Sequence, residues 1–148
     1  MVDLIKREAR LREAIELFYF AYRAFTARAD TILGSRGLGR VHHRILYFVG
    51  RNPDIAIHAL LDTLGVSKQA LNAPLRALIE QNLVAARADA QDRRYRRLRL
   101  TEEGRRLEAA LTGTQLQLLG AVFDDAGRDA ERAWKRVMQA LPGRIAGR

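Results

Sequence analysis

From Leu11 the apolar side chains return at steps of four and three: Leu11, Ile15, Phe18, Tyr22, Phe25, Ala29 and Ile32. That spacing keeps them on one side of an α-helix. No glycine or proline interrupts residues 4–33, so the pattern predicts a single helix about 45 Å long. A rod of that length with an aromatic stripe constrains the fold more than any other feature. A chain of 148 residues supplies one domain, or one domain with a helical extension. A small domain cannot cover the whole stripe, so it needs further helices, from the other end of the chain and from a second copy of it.

The glycines of Gly34-Ser-Arg-Gly-Leu-Gly39 end the long helix. A short second helix follows, with Val41, Ile45, Phe48 and Val49 as its expected buried face and Gly50 and Pro53 as its stop. Asp54-Ile55-Ala56 reads as a short strand or a helix start. Ile57–Leu64 is a third helix, and Ser67 is the expected N-cap of a fourth that reaches about Gln81. Asn82 takes the left-handed position after it. Residues 83–100 then read as strand, turn and strand, with Leu98 and Leu100 on one side and Arg97 and Arg99 on the other. Thr101 caps a helix that carries Glu102 and Glu103 in its first turn, where the dipole favours acids. Its stripe is Leu107, Leu111, Thr114, Leu118 and Val122. A last helix, about 125–141, carries Ala130, Ala133, Trp134, Val137 and Leu141, is capped by Asp124-Asp125 and stops at Pro142-Gly143. The fold class is therefore mainly α with a small β-hairpin: a winged helix-turn-helix over 38–104, with residues 1–33 and 105–148 forming a dimerisation bundle.

Charge points to the partner. Lys and Arg number 26 against 17 Asp and Glu. The excess concentrates in two stretches: residues 31–50 hold three arginines and no acid, and residues 81–106 hold eight arginines against four acids. A localised basic footprint fits a polyanion. In the fourth helix Leu71, Leu75 and Leu78 form the inward stripe, while Lys68, Gln69, Asn72 and Arg76 fall on the other side. Arg bonds guanine O6 and N7, Asn and Gln bond adenine N6 and N7, and a lysine at a helix N-terminus suits phosphate. Pro74 removes a backbone bond to the Ala70 carbonyl; the helix either bends there and still packs, or the bend steers its first half along a groove. The hairpin segment Asp92-Arg93-Arg94-Tyr95-Arg96-Arg97-Leu98-Arg99 carries five arginines and one aspartate. Its turn, Asp89–Arg94, suits the narrow and strongly negative minor groove, with Asp92 placed to hold Arg94. About six to eight phosphate contacts per dimer imply steep salt dependence, a slope of about −0.9 for each.

The stretch from Leu38 to Gly104 resembles the DNA-binding region of the MarR (multiple-antibiotic-resistance regulator) family. The matching pieces are Leu-Leu-Asp-Thr-Leu-Gly-Val-Ser-Lys-Gln-Ala-Leu-Asn, which continues to Val84, then Asp89-x-x-Asp92-x-Arg94, then Leu98-x-Leu100-Thr101-x-x-Gly104. The resemblance implies a homodimer, a recognition helix near 67–81, a wing near 83–100 and a near-palindromic double-stranded operator. It implies DNA contacts at Ser67, Lys68, Gln69, Asn72, Arg76 and Arg94, with Asp92 as the partner of Arg94 and Arg93 beside it on the wing. It also implies a small, often aromatic or phenolic, anionic effector, for which Tyr22, His42, His43, Arg44 and Tyr47 are the candidate lining. The chain departs from the family pattern in three places. Leu38-Gly39-Arg40-Val41-His42 stands where L-T-x-x-Q is common, Asn82 replaces a glycine, and Pro74 is unusual.

Other classes find less support. With no cysteine and three histidines, disulfides and zinc–thiolate sites are excluded. His42 and His43 diverge by about 100° on a helix, so neither metal nor cofactor is expected. No catalytic motif stands out. No apolar run approaches the roughly 18 residues of a membrane span, and the N-terminus is too charged for a signal peptide, so a cytoplasmic place in a bacterium or archaeon is expected. The expected function is a ligand-responsive transcriptional regulator, more often a repressor. The rivals are a nucleoid-type structural DNA binder with little sequence choice and a winged helix that meets protein or RNA.

Overall fold

The computed structural model describes residues 1–146 and falls into two compact units, Met1–Thr114 and a second that begins at Gln115. The element order is α1 (Val2–Gly34), α2 (Arg40–Arg51), β1 (Ile55–Ala56), α3 (Ile57–Leu64), α4 (Lys68–Glu80), β2 (Val84–Ala88), β3 (Arg96–Leu100), α5 (Glu102–Ala126) and α6 (Arg128–Ala146). Mainly α with a small hairpin is what the structure shows. The sheet gains a third strand, in the order β1-β3-β2, with both pairs antiparallel. Val84 lies opposite Leu100 and Ala88 opposite Arg96, while Ile55 pairs with Leu98.

The core of the first unit gathers Leu33 from α1, Ile45, Leu46 and Val49 from α2, Leu60 from α3, Leu71 and Leu78 from α4, Leu98 from β3 and Leu111 from α5. Two helix ends are closed in the same way. After α1, Gly37 is left-handed and Leu38 N–H bonds Leu33 C=O at 2.9 Å. After α4, Asn82 is left-handed (φ 59°), its N–H bonds Ile79 C=O at 3.0 Å, and Leu83 N–H bonds Leu78 C=O at 2.9 Å. Asn82 thus performs the turn that usually falls to glycine. At the start of α5, Thr101 Oγ1 accepts the Gly104 N–H at 2.9 Å and donates to Asn82 C=O at 2.7 Å. Gly104 admits no side chain: a Cβ there would lie 1.9 Å from the Leu83 carbonyl oxygen.

Several expectations are corrected. In α2 the buried face is His43, Ile45, Leu46 and Val49; Val41 is exposed and Phe48 half-buried. Leu46 rotates the stripe at about 100° per residue, which leaves Val41 off-centre in an open first turn. Gly50 lies inside α2, which runs on to Arg51. Asp124 and Asp125 do not cap the last helix but end α5; the break falls at Gly127, whose φ of 94° only glycine adopts readily. Pro142 lies inside α6 rather than ending it. So near a helix end it removes one bond, that to the Met138 carbonyl, and little follows from the loss.

The long helix forms as expected, but only its end is covered, along a line one residue off the predicted stripe, with Phe25 and Ile32 half-buried. Thr26, Ala29 and Leu33 are buried, whereas Leu11, Ile15, Phe18 and Tyr22 are exposed, Ile15 by 69%. In the second unit Phe123 meets Trp134 edge-on at 5.5 Å, while Leu116, Val122, Val137 and Leu141 are exposed. No described helix is long and apolar enough to cross a membrane.

Candidate nucleic-acid interface

Helix α4 is anchored from beneath and free above. Leu71, Leu75 and Leu78 are buried. Ser67 is extended (φ −76°, ψ 157°), and its Oγ accepts the Ala70 N–H at 3.1 Å, the capping bond its sequence position predicts. Lys68, Gln69, Asn72 and Arg76 are all exposed, and none has a side-chain hydrogen bond or ion pair among the described residues. The helix is continuous through Pro74. Its polar edge therefore presents donors and acceptors that nothing among the described residues consumes.

The wing is organised differently. Beyond the Ala88–Arg96 pair, Asp89 N–H bonds Tyr95 C=O at 2.8 Å and Tyr95 N–H bonds Asp92 C=O at 3.1 Å. Asp89 Oδ1 accepts the Gln91 and Asp92 N–H groups at 2.8 and 3.2 Å. Asp92 accepts the Arg94 N–H at 3.0 Å and grips its guanidinium through Nε at 3.0 Å and Nη2 at 2.7 Å. Two further carboxylates brace the sheet: Asp89 takes Arg97 Nε at 2.7 Å, and Asp54 takes Arg99 through Nε at 3.1 Å and Nη2. Hydrogen bonds from Arg94 hold the Asp92 carboxyl below the usual carboxylate range. Backbone N–H groups, with Arg97, do the same for Asp89, and Arg99 does so for Asp54. Arg93 and Arg96 are exposed with no ion pair among the described residues.

The bracing role of Asp54 was not visible in the sequence. Its partner lies 45 residues away, and no local pattern links them. The residue itself is left-handed (φ 66°) and its N–H bonds Leu98 C=O at 2.9 Å, so a strained turn aims its carboxylate along the sheet.

Of the candidate effector residues, Tyr22 and Arg44 come together, with Arg44 Nη2 donating to the Tyr22 hydroxyl at 2.9 Å. Arg40 lies 5.3 Å from the centroid of the same ring and is held by Asp30 at 2.8 Å. The histidines are engaged elsewhere. His42 Nδ1 accepts the Gly39 N–H at 2.9 Å, and the buried His43 places Nε2 3.2 Å from Thr112 Oγ1 on α5. Burial lowers the pKa of both imidazoles. Tyr47 is half-buried, edge-on to Phe48 at 5.1 Å. Among the described residues no cluster fit to hold a metal ion occurs.

A serine-capped helix with an unconsumed polar edge, set beside an arginine-bearing hairpin on one core, defines a winged helix-turn-helix of the nucleic-acid-reading kind. Residues 36–94 match the sequence profile of the MarR family. The HTH-type transcriptional regulator PetP of Rhodobacter capsulatus is 41% identical over 138 residues, which is 93% of this chain and 83% of that protein. Streptococcus pneumoniae FabT, solved in complex with DNA, superposes with a TM-score of 0.79 at 16% identity, over 93% of this chain and 98% of that one. Staphylococcus aureus MarR, solved in complex with salicylate and kanamycin, gives 0.76 at 21% identity over 96% of each. The chain belongs to the MarR family, and is thereby a DNA-binding transcriptional regulator.

Proposed function

We propose that the protein is a cytoplasmic homodimer that reads a near-palindromic operator, represses transcription there and releases the DNA when a small aromatic anion binds. The observation that carries this reading is the polar edge of α4, free of partners among the described residues, alongside a wing arginine already held in place. The exposed stripe of α1 supports a dimer, because contiguous apolar surface of this kind marks an interaction face. In the dimer, two copies of α4 must lie one helical turn apart, about 34 Å, to enter successive major grooves. Ser67, Lys68, Gln69, Asn72 and Arg76 act in the major groove, and Asp92, Arg93 and Arg94 at the flanking minor groove.

Arg40, Arg44 and the Tyr22 ring join α1 to α2 in an exposed cluster, which suits the carboxylate and ring of an aromatic acid. Salicylate occupies the Staphylococcus aureus structure. An effector that prefers another lobe spacing shifts the population away from the DNA-competent form. A 100-fold loss of operator affinity requires a preference of about 2.8 kcal/mol.

The test is selection and sequencing of host genomic fragments that the protein retains, followed by competition against bulk DNA. A shared motif with half-sites one turn apart is expected. A competition ratio near one would instead assign a structural, nucleoid-type role, and no retained DNA would assign a protein or RNA partner. Deleting residues 1–24 removes the exposed part of the stripe; the product should sediment as a monomer and lose most operator binding. A tight-binding monomer would overturn the dimer.

A further inference from the structure

The wing tip touches the helix-turn-helix through His58. On the exposed side of α3, the His58 imidazole meets the Tyr95 ring with centroids 6.0 Å apart and planes at 68°. The Arg94 guanidinium lies 5.9 Å from the centroid of that same ring. Both distances fall within the ranges over which aromatic pairs and cation–π pairs attract. Asp92 holds Nε and Nη2 of Arg94, so its Nη1 is the guanidinium nitrogen without a hydrogen bond among the described residues. His58, Tyr95, Arg94 and Asp92 thus form one run of contacts from α3 to the end of the hairpin.

We infer that His58 and Tyr95 are positioning residues for Arg94, fixing the pose of the wing tip relative to α4. The physical need is clear. The Arg94 side chain is 83% exposed, and a free arginine loses rotamer entropy when it docks. Contacts with the Tyr95 ring and the Asp92 carboxylate reduce that loss before DNA arrives. Because α3 packs against both α4 and β3, the brace ties the tip to the same body that carries the major-groove edge. The inference rests on the reading of Arg94 as a minor-groove contact.

The test uses the full-length protein and a genomic fragment retained by it, flanked in one duplex by AT-rich and in another by GC-rich sequence. Arg94→Ala is measured first; unchanged affinity would overturn both the reading of Arg94 and the brace. If Arg94→Ala weakens binding, His58→Ala and Tyr95→Ala should each weaken the AT-flanked duplex about three- to tenfold, with a smaller loss on the GC-flanked one. His58→Phe keeps an edge-on ring and should restore binding. The double variant His58→Ala/Arg94→Ala should bind no worse than Arg94→Ala alone. Equal loss from His58→Ala with and without Arg94 would show His58 meeting DNA itself, and full affinity in His58→Ala would show no brace; either result overturns the inference alone. Should His58→Ala lose its helical circular dichroism, Tyr95→Ala, altered at an exposed wing residue, decides by the same comparison.

Discussion

Helix α4 and the wing, the two parts of the first unit that we propose meet DNA, are built on opposite plans. The polar side chains of α4 have no partners among the described residues, while its leucines are locked in the core. In the wing three of the exposed arginines are already paired, Arg94 with Asp92, Arg97 with Asp89 and Arg99 with Asp54. The difference matches the two tasks. Base edges are distinguished by hydrogen bonds that a side chain must be free to form or refuse. A narrow groove is recognised by its potential and width, which reward a guanidinium set in advance. On the proposed function, choice among base pairs falls to the free edge and preference among flanks to the paired one.

The largest effect is expected where the two plans share a foundation. Leu83 closes α4 through its N–H, begins the hairpin, and accepts the Thr101 N–H at 3.1 Å through the carbonyl that Gly104 touches. Gly104→Ala forces a methyl group into that carbonyl, and the loss should reach about 3 kcal/mol, the upper end for overpacking. Urea denaturation measures it; a midpoint equal to the parent's would mean that α5 can move off Leu83 at no cost. Next in size, Asn72→Ala should cost about 1–3 kcal/mol at one operator position and little elsewhere, as read by binding to a set of single-base operator variants. A uniform loss would move Asn72 to the phosphates and blur the division between edge and stance. Smaller still, Arg94→Ala should weaken all duplexes and lower the salt slope by about 1, which a titration across salt concentrations reports.

The helical frame was legible because it is written in local signals. The four-three spacing, the Ser67 cap, Asn82 and the Thr101 cap each govern residues within a turn or two, and each formed where the sequence places it. The errors at Asp124-Asp125 and Pro142 are local signals too, overridden at the first by the neighbouring Gly127 and at the second by a helix that runs on to Ala146. The wing turn was half legible: Asp92 and Arg94 lie two apart and could be paired from spacing alone. Asp54 with Arg99, and His58 with Tyr95, join residues that only the folded sheet and α3 bring together. The inward turn of His43 was likewise hidden, because its burial depends on α5 crossing α2 at Thr112.

The pair that holds Arg94 offers the finest test of a prepared wing. Asp92→Asn removes a negative charge from a surface meant for DNA, so simple charge counting predicts tighter binding to every duplex. Prior positioning predicts a split: affinity for bulk DNA unchanged or slightly raised, and the preference for AT-rich flanks reduced, by at most a few-fold for an exposed pair. Fluorescence anisotropy on matched flanks separates these outcomes, and a uniform gain would mean that Asp92 only repels. Acid should mimic the substitution in a defined window. Hydrogen bonds from Arg94 lower the Asp92 pKa, so the ion pair is fully formed above the ordinary carboxylate pKa of about 3.9 and is lost as pH falls through the lower value of the folded protein. In the His58→Phe protein, which keeps an edge-on ring and removes the imidazole, flank preference should therefore stay constant from pH 7 down to about 5, well above that window; a decline within that range would place control of Arg94 in a group other than Asp92.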